Sequence, residues 1–363
     1  MMAGHRGGFG GGMRDRRSHY DVTNTVCIAD PAVVRDTVCD ILKKNYPRAD
    51  LNPVRIAFDT FTHLYAGILP GYHGCDTWYH DVQHSLDCTL ALARLIDGHE
   101  RSVPKRSRIG ERRARLGLIC ALFHDSGYIR RHDEAQFHNG AEFTFFHVAR
   151  SSNFLLDFLP RIGFAKEARL AARLVHFTGY EIALPKINVR NPLDRRLGFM
   201  LGTADLIAQM ADRCYLEKCR SYLFHEFRAC GLAAPGIPGG PTPVYQSPDD
   251  LVRKTPEFID KLFKERLDGY FRKAYRYMTV HFNGINPYML AIDKHVEHLR
   301  RIVADDTIDD LRRRPRSVNA RTLRTLIGIR LAEVQPRRRK VAAHHRRVRQ
   351  PRNIAAQLSY MPT

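Results

Sequence analysis

Residues 116–125 read LGLICALFHD, an apolar run that ends in a histidine and an aspartate. A helix through this run is apolar on every side, which is typical of a helix buried among others at the centre of a domain. Such a helix would carry His124 and Asp125 into the interior, where a carboxylate without a partner costs several kcal/mol. A metal ion would remove that cost, because imidazole and carboxylate together suit Mn, Fe, Zn, Ni or Mg.

The pattern around this run is helical as well. Apolar residues recur at spacings of three and four over residues 30–303, and alternating runs are rare. We therefore predict an all-α fold. One helix is expected from about Thr77 to a stop at Gly98, and two amphipathic helices are expected over residues 256–278 and 287–303.

Composition excludes several classes of protein. The chain has 363 residues, of which 44% are hydrophobic and 26% charged, a globular balance that excludes a wholly disordered or collagen-like protein. The longest apolar run, residues 116–123, is too short to span a bilayer, and residues 1–17 lack the apolar stretch of a secretory signal. We therefore expect a cytoplasmic protein without a transmembrane segment. The eight cysteines form no CxxC pair, which predicts reduced, mostly buried thiols.

The sequence divides into five parts. A flexible Gly/Arg-rich arm is expected over residues 1–20, and a basic, partly disordered tail over residues 305–363. Between them, residues 30–230 form the main helical domain, and residues 249–304 form helices that pack on it. Residues 231–248 hold four glycines and five prolines, which forbid a helix and leave two interpretations open, a plain connector and a lid over a pocket.

Most of the net charge of +20 lies in the tail. Residues 311–353 contain 15 lysines and arginines against one acid, Glu333, and no aromatic side chain that could stack on a base. We interpret the tail as a solvated segment or as a site of non-specific, electrostatic contact with nucleic acid. On either interpretation, residues 311–363 are expected to be dispensable for turnover of a small substrate.

Histidine and aspartate recur in order on the predicted helices. The set is His80, His84, His124, Asp125, His147, His176 and Asp205. Several polar insertions into apolar helices rarely coincide without a shared purpose, so the set predicts a metal site. His147 and His176 also allow a second interpretation, as buried histidines hydrogen-bonded to main-chain carbonyl groups.

This ordered set resembles the HD-domain metal-dependent phosphohydrolase superfamily, which includes the cyclic-nucleotide phosphodiesterases. His84 matches the first metal histidine, His124 and Asp125 match the signature pair, and Asp205 matches the distal aspartate. The likeness covers about residues 75–215, and it implies a helical bundle that hydrolyses a phosphate ester, such as a nucleotide or cyclic nucleotide.

The resemblance also implies a pair of divalent ions, whose ligands would be His84, His124, Asp125, His147, His176 and Asp205. Asp125, with its two oxygens, would bridge them. Two such ions lower the pKa of a bridging water for attack on phosphorus. The residues after the signature pair, Ser126 to Arg130, differ from those of the cyclic-nucleotide and alarmone branches, so the resemblance gives the superfamily and not the substrate.

Two further residues are candidates for roles beside the ions. His80 precedes His84 by one helical turn and is expected to be the general acid that protonates the leaving oxygen. Gln209, one turn after Asp205, is a candidate to orient that ligand.

Three more residues are candidates for substrate contacts. Arg130 and Arg131 could clamp a phosphate with paired hydrogen bonds, or they could be solvated charges. His138 could lie on the rim of the site, or it could be a surface histidine.

A second class of function stays open from the sequence. In it, the helical scaffold has weak or no activity and binds nucleic acid or another anionic partner through the basic tail. Bound transition metal together with hydrolysis of an aryl phosphodiester would favour the enzyme. A metal-free core with salt-sensitive binding of nucleic acid would favour the scaffold.

Overall fold

The computed structural model describes residues 16–237 and 242–328. These parts of the chain form thirteen α-helices, joined by short 3-10 turns and two π-helical stretches. The helices are α1 (Pro31–Asn45), α2 (Asn52–Ala66), α3 (Val82–Ser102), α4 (Glu111–Phe123), α5 (His147–Phe158), α6 (Ala168–Leu174), α7 (Pro192–Ala211), α8 (Tyr215–Lys218), α9 (Phe224–Ala229), α10 (Pro248–Leu262), α11 (Tyr277–His281), α12 (Pro287–Ala304) and α13 (Ala320–Leu326).

The predicted all-α class is confirmed. Within the two described ranges there is no β-strand, and the β-type contacts are isolated bridges. One continuous hydrophobic core includes residues from Val22 to Leu323. None of the described helices has both the length and the apolar character needed to cross a membrane. All eight cysteines are free thiols, and all except Cys27 are buried, as their spacing predicts.

Helix α3 lies at the centre of the fold. It packs against α1, α4, α7 and α11, which leaves almost none of its surface in solvent. The predicted start near Thr77 is wrong, because Asp81 caps the helix and places its first residue at Val82. The Asp81 carboxylate accepts a hydrogen bond from the main-chain nitrogen of His84 at 3.0 Å.

The predicted stop at Gly98 is also wrong. Helix α3 continues through Gly98 to Ser102. A Cβ atom at Gly98 would lie 1.9 Å from the carbonyl oxygen of Tyr277. The glycine is therefore a point of close approach between two helices, α3 and α11.

Helices α4 and α7 complete the centre of the molecule. In α4 every residue from Ala114 to Phe123 is buried, as the apolar run predicts, and His124 follows its last residue directly. Helix α7 is buried from Leu197 to Ala208, and this buried part contains Asp205.

The last residues of the predicted N-terminal arm are partly packed on the core. Residues 1–15 lie outside the described part of the chain, but Arg16 is buried and residues 18–20 are half-buried. Arg16 is only 8% exposed, and its Nη2 donates a hydrogen bond to the carbonyl oxygen of Ala211 at 3.0 Å. The next acid, Asp21, is fully buried and pairs with Arg94 at 2.7 Å.

The first part of the predicted tail is packed too, so residue 311 is the wrong boundary for an appendage. The main-chain nitrogen of Val318 donates to the Asp81 carboxylate at 2.6 Å, and Leu323 of α13 is fully buried. Arg324 donates to the carbonyl oxygen of Ala66 at 2.9 Å. Residues 329–363, which carry the rest of the basic segment, lie outside the described residues.

The loop after α9 and the helices beyond it differ in detail from the prediction. The described parts of the loop, residues 231–237 and 242–247, meet at a bridge between Ala233 and Tyr245. Helix α10 begins at Pro248, eight residues earlier than predicted, and contains Pro256. It leads into the π-helical stretch Phe263–Tyr270, so residues 256–278 are not one regular helix. Helix α12 coincides with the helix predicted over residues 287–303.

Candidate metal centre

Three helices bring two histidines and an aspartate together in the core. His84 lies in the first turn of α3, His124 follows α4, and Asp205 lies in α7. One ligand atom from each side chain lies within 4.8 Å of the other two, and all three side chains are buried. This set of nitrogen and oxygen donors could hold a metal ion.

A hydrogen bond on the far side of the His124 ring directs its lone pair into the cluster. Nδ1 donates to the carbonyl oxygen of Ala121 at 2.7 Å, so the neutral imidazole has its lone pair on Nε2. This Nε2 lies 3.2 Å from Nε2 of His84, 3.2 Å from Oδ2 of Asp125 and 3.6 Å from Oδ1 of Asp205. In their unprotonated forms, acceptor atoms this close repel one another unless protons or a metal ion lie among them. The donor set therefore fits a divalent ion.

Asp125 has one oxygen on each side of the cluster. Its Oδ2 lies 3.3 Å from Nε2 of His84, whereas its Oδ1 lies 3.6 Å from Nε2 of His147. Oδ2 is fully buried and has no directed hydrogen bond within the described structure. A carboxylate whose two oxygens face different imidazoles has the arrangement that bridging two ions requires.

The electrostatics of the cluster follow from its burial and its close contacts. Burial alone would lower the pKa of His84, but the close carboxylates of Asp125 and Asp205, each 3.3 Å away, outweigh burial and raise that pKa to about 9. Burial likewise opposes the ionised form of Asp205, yet the close imidazoles of His124 and His84 lower its pKa to about 2. The carboxylates thus stay ionised in the core and attract positive charge.

His147 lies at the edge of this cluster. It is the first residue of α5, and its Nδ1 donates to the carbonyl oxygen of Thr144 at 2.8 Å, which directs Nε2 towards Asp125. Burial lowers the pKa of His147 to about 4, so the ring is neutral with a lone pair free for a ligand bond. His147 thus faces the same carboxylate as His84 and His124, from its other oxygen.

The structure does not bring His176 to the cluster, contrary to the prediction from the resemblance. In the described part of the chain no carboxylate forms an ion pair with it, and it does not line the cavity beside the cluster. Burial lowers the pKa of His176 to about 4, and its Nδ1 is buried without a hydrogen-bond partner.

The three predicted substrate contacts also lie elsewhere. Arg130 is occupied by Asp76, with its Nε and Nη2 at 2.9 and 2.8 Å from Oδ2, and it donates to the carbonyl oxygen of Phe137. Arg131 and His138 are exposed. Neither these two residues nor Arg130 lines the cavity, because the segment after Tyr128 turns away from the cluster.

His80 lines the cavity, but it does not lie on a helix as predicted. It precedes the cap of α3, and its position is fixed by Glu226 of α9. Nδ1 of His80 lies 2.5 Å from Oε2 of Glu226, whose other oxygen accepts hydrogen bonds from the main-chain nitrogens of Trp78 and Tyr79. One buried carboxylate thus holds both the imidazole and the turn that carries it.

Tyr128 links His80 to His147 at the edge of the histidine and aspartate cluster. Its ring stacks on His80, with centroids 4.5 Å apart, and on His147, with centroids 4.3 Å apart. The tyrosine is almost fully buried between the two imidazoles. It therefore fixes the distance between the candidate acid and the candidate ligand.

Gln209 contacts Asp205, as its spacing predicts. Its Nε2 lies 3.3 Å from Oδ1 of Asp205, to which it donates, and its Oε1 accepts from the hydroxyl of Tyr79 at 3.0 Å. Both ends of the amide are occupied, so Gln209 orients Asp205 and is not free to contact a substrate.

Three residues of the site are not predicted from the sequence. Glu226 and Tyr128 position His80, and Glu181 lines the cavity while its two oxygens accept from the main-chain nitrogens of Val148 and Ala149. Burial raises the pKa of Glu181 to about 7. A place for Tyr128 beside the site could be predicted, because it closely follows His124 and Asp125 in the sequence. The contacts of Glu226 span about 146 residues and leave no local signal.

The fold and the site define a helical protein with a buried histidine and aspartate cluster that opens on a cavity. No family model, no curated protein and no solved structure matches the chain.

Proposed function

We propose that this protein is a metal-dependent hydrolase of phosphate esters, of the HD-domain type. The observation that carries the proposal is the convergence of acceptor atoms from His84, His124, Asp125 and Asp205 in a buried site. Without a metal ion, the buried carboxylates are balanced only by protons on the facing imidazoles, and a divalent ion would replace those protons at the same ligand atoms.

A divalent ion in this site would supply Lewis acidity and an activated water. The protein supplies the rest of the arrangement. Gln209 holds the Asp205 carboxylate in place, and the carbonyl oxygen of Ala121 holds the His124 ring. Burial of the cluster excludes bulk water and strengthens each charge interaction at the phosphate.

His80 is placed to protonate the leaving oxygen. Glu226 accepts the Nδ1 proton of His80, so the transferable proton of the imidazolium is held at Nε2. The side chain lines the same cavity as Asp125, and its ring is kept parallel to Tyr128 by stacking. A proton donor beside a buried phosphate site is the group that an alkyl or ribose leaving group needs.

The proposal is tested by metal content and turnover together. Protein reconstituted with Mn²⁺ is expected to retain the ion through gel filtration and to hydrolyse bis(p-nitrophenyl) phosphate. Asp125→Asn should lose bound metal and at least about 100-fold in turnover, because it removes the charge that faces both imidazoles.

Two control variants separate loss of the site from loss of a buried polar residue. Asp97→Asn removes a buried aspartate at the other end of α3, where it binds His281 at 2.7 Å, and should keep the metal. His176→Ala should keep it as well, since the structure places His176 outside the cluster. Wild-type metal content in Asp125→Asn, or a wild-type protein that binds no divalent ion, would refute the proposal.

A further inference from the structure

The cavity beside the cluster has an unusual lining for a phosphate site. The lining combines the residues of the metal cluster with aromatic and aliphatic side chains of α8, α9 and α10. Among the described residues no lysine and no arginine lines it, although the chain as a whole carries a net charge of +20. A site for a polyanion is expected to hold such side chains.

Two helical segments form the apolar wall that faces the cluster. Tyr215 and Leu223 project from α8 and the π-helical stretch after it, and Leu251 and Phe258 lie about two turns apart on α10. Between these segments, Tyr245 stacks on Phe227, with ring centroids 5.4 Å apart and an angle of 13° between the planes. The wall therefore offers ring faces and aliphatic side chains to a ligand.

An arginine that packs on the lining is shielded from the cavity by a tyrosine ring. Arg266 is buried behind Tyr180, with its guanidinium 3.7 Å from the ring centroid, and it donates to the carbonyl oxygen of Gly179 at 2.7 Å. On the cavity side, Glu181 adds a carboxyl group whose oxygens are already hydrogen-bonded to the start of α5. A second or third phosphate would thus meet no lysine or arginine among the described residues that line the cavity.

We propose that the cavity selects phosphate esters that carry a single phosphate and an uncharged, ring-bearing group on the ester oxygen. The inference rests on the proposed function, since it places the phosphate at the metal cluster and the ring against the wall of α8, α9 and α10. Nucleoside diphosphates and triphosphates are excluded as substrates, because their extra charges would be desolvated without a partner.

The first experiment compares three p-nitrophenyl phosphodiesters that differ only in their second ester group: methyl, 2-naphthyl and choline. The leaving group is identical, so differences in KM report the wall. The 2-naphthyl ester should have a KM at least about tenfold below that of the methyl ester, because the ring buries additional apolar surface. The choline ester should show no such gain. A KM for the choline ester tenfold below that of the methyl ester would overturn the proposal, since the wall would then be a cage for cations.

The second experiment supplies the missing charge. Phe258→Arg places a cation on the wall, and the inhibition constant of ADP relative to AMP should fall at least about tenfold in excess Mg²⁺. The control Glu257→Gln raises the net charge equally at the neighbouring, exposed position of α10 and should leave the ratio unchanged. If Phe258→Arg fails to fold, Phe258→Leu should raise the KM of the 2-naphthyl ester and spare that of the methyl ester.

A binding measurement separates failure of this inference from failure of the proposed function. Calorimetry with 2-naphthyl methyl phosphate and dimethyl phosphate should show at least about tenfold tighter binding of the first, whether or not the protein turns over any ester. Turnover with equal KM values for the three esters would leave the hydrolase in place and refute the ring-bearing substrate. Tenfold selectivity in binding without turnover would uphold the ligand class and refute the hydrolase.

Discussion

Two histidines of the cluster are oriented in the same way. Nδ1 of His124 donates to the carbonyl oxygen three residues earlier, that of Ala121, and Nδ1 of His147 does the same with Thr144. Each bond uses a carbonyl group of the preceding turn, which fixes the tautomer before any ligand arrives. The lone pairs of the two rings are thus set by the backbone and need no further side chain.

The leaving group provides a test of His80 as the proton donor. His80→Ala should keep its metal and lose about 10² to 10⁴ in kcat on an alkyl or nucleoside ester, because these alkoxides must be protonated as they depart. The kcat of this variant on a p-nitrophenyl ester should fall far less, since nitrophenolate departs without protonation.

Glu226→Gln tests whether the carboxylate acts through His80. This substitution keeps the shape of the side chain but removes its charge. It should shift the pH profile of kcat for the alkyl ester and leave the pH profile for the p-nitrophenyl ester unchanged. Equal losses on both esters in His80→Ala, with metal retained, would argue against proton donation. Loss of metal in that variant would make His80 a ligand.

A buried histidine that does not line the cavity makes stability depend on pH. Burial lowers the pKa of His295 to about 4, while its Nδ1 donates to the carbonyl oxygen of Met210. The unfolded chain takes up a proton below about pH 6.5 and the folded chain only near pH 4, so stability falls between these values. From pH 7 to pH 5 the loss from this group is about 2 kcal/mol.

Urea unfolding at the two pH values measures this loss. His295→Gln keeps a donor for Met210 and should be less sensitive to the change by about 2 kcal/mol. His138→Gln, at an exposed position, should retain the wild-type difference. The same pH dependence in wild type and His295→Gln would contradict the assignment.

At the scale of elements, the close crossing of α3 and α11 depends on one glycine. Gly98→Ala should destabilise the protein by about 1 to 3 kcal/mol, because the new Cβ meets main-chain atoms of Tyr277 that cannot rotate away. Gly117→Ala is a matched substitution in α4, where the Cβ meets only the side chain of Leu197, and should cost less. Denaturant midpoints of the two variants make the comparison, and equal or reversed effects would show that α11 moves freely on α3.

Gly98 also shows which features of these helices cannot be predicted from the sequence. The apolar run of α4 is a local pattern, and it predicts the buried helix. The cluster is predicted by the ordered recurrence of His84, His124 and Asp205 on apolar helices. A glycine that ends a helix and one that admits a neighbouring backbone look alike in a single sequence. The prediction of His176 as a ligand is wrong for a related reason. The position of this residue depends on how α6 packs, and its spacing in the sequence does not reveal that packing.

At the scale of the whole molecule, the C-terminal segment divides into a structural part and a part outside the described residues. Deletion of residues 329–363 should leave the melting temperature and the metal content nearly unchanged. Deletion of residues 311–363 should lower the melting temperature by about 5 to 10 °C, since it removes the buried Leu323 and the hydrogen bond from Val318 to Asp81. Differential scanning calorimetry of the two truncated proteins tests this boundary. Equal melting temperatures would restore residue 311 as the start of the appendage.

The bond between Asp81 and Val318 joins residues that are 237 positions apart. On the ribosome, the first turn of α3 is therefore made long before the segment that completes its cap. Glu226, which holds the turn before that cap, also emerges late. Contacts of such long range close slowly and late in folding. The turn before α3 and the cap of this helix are thus completed only after residue 318 has been made, and a nascent chain halted before that residue carries His84, His124 and Asp205 without the contacts that hold this end of α3 in place.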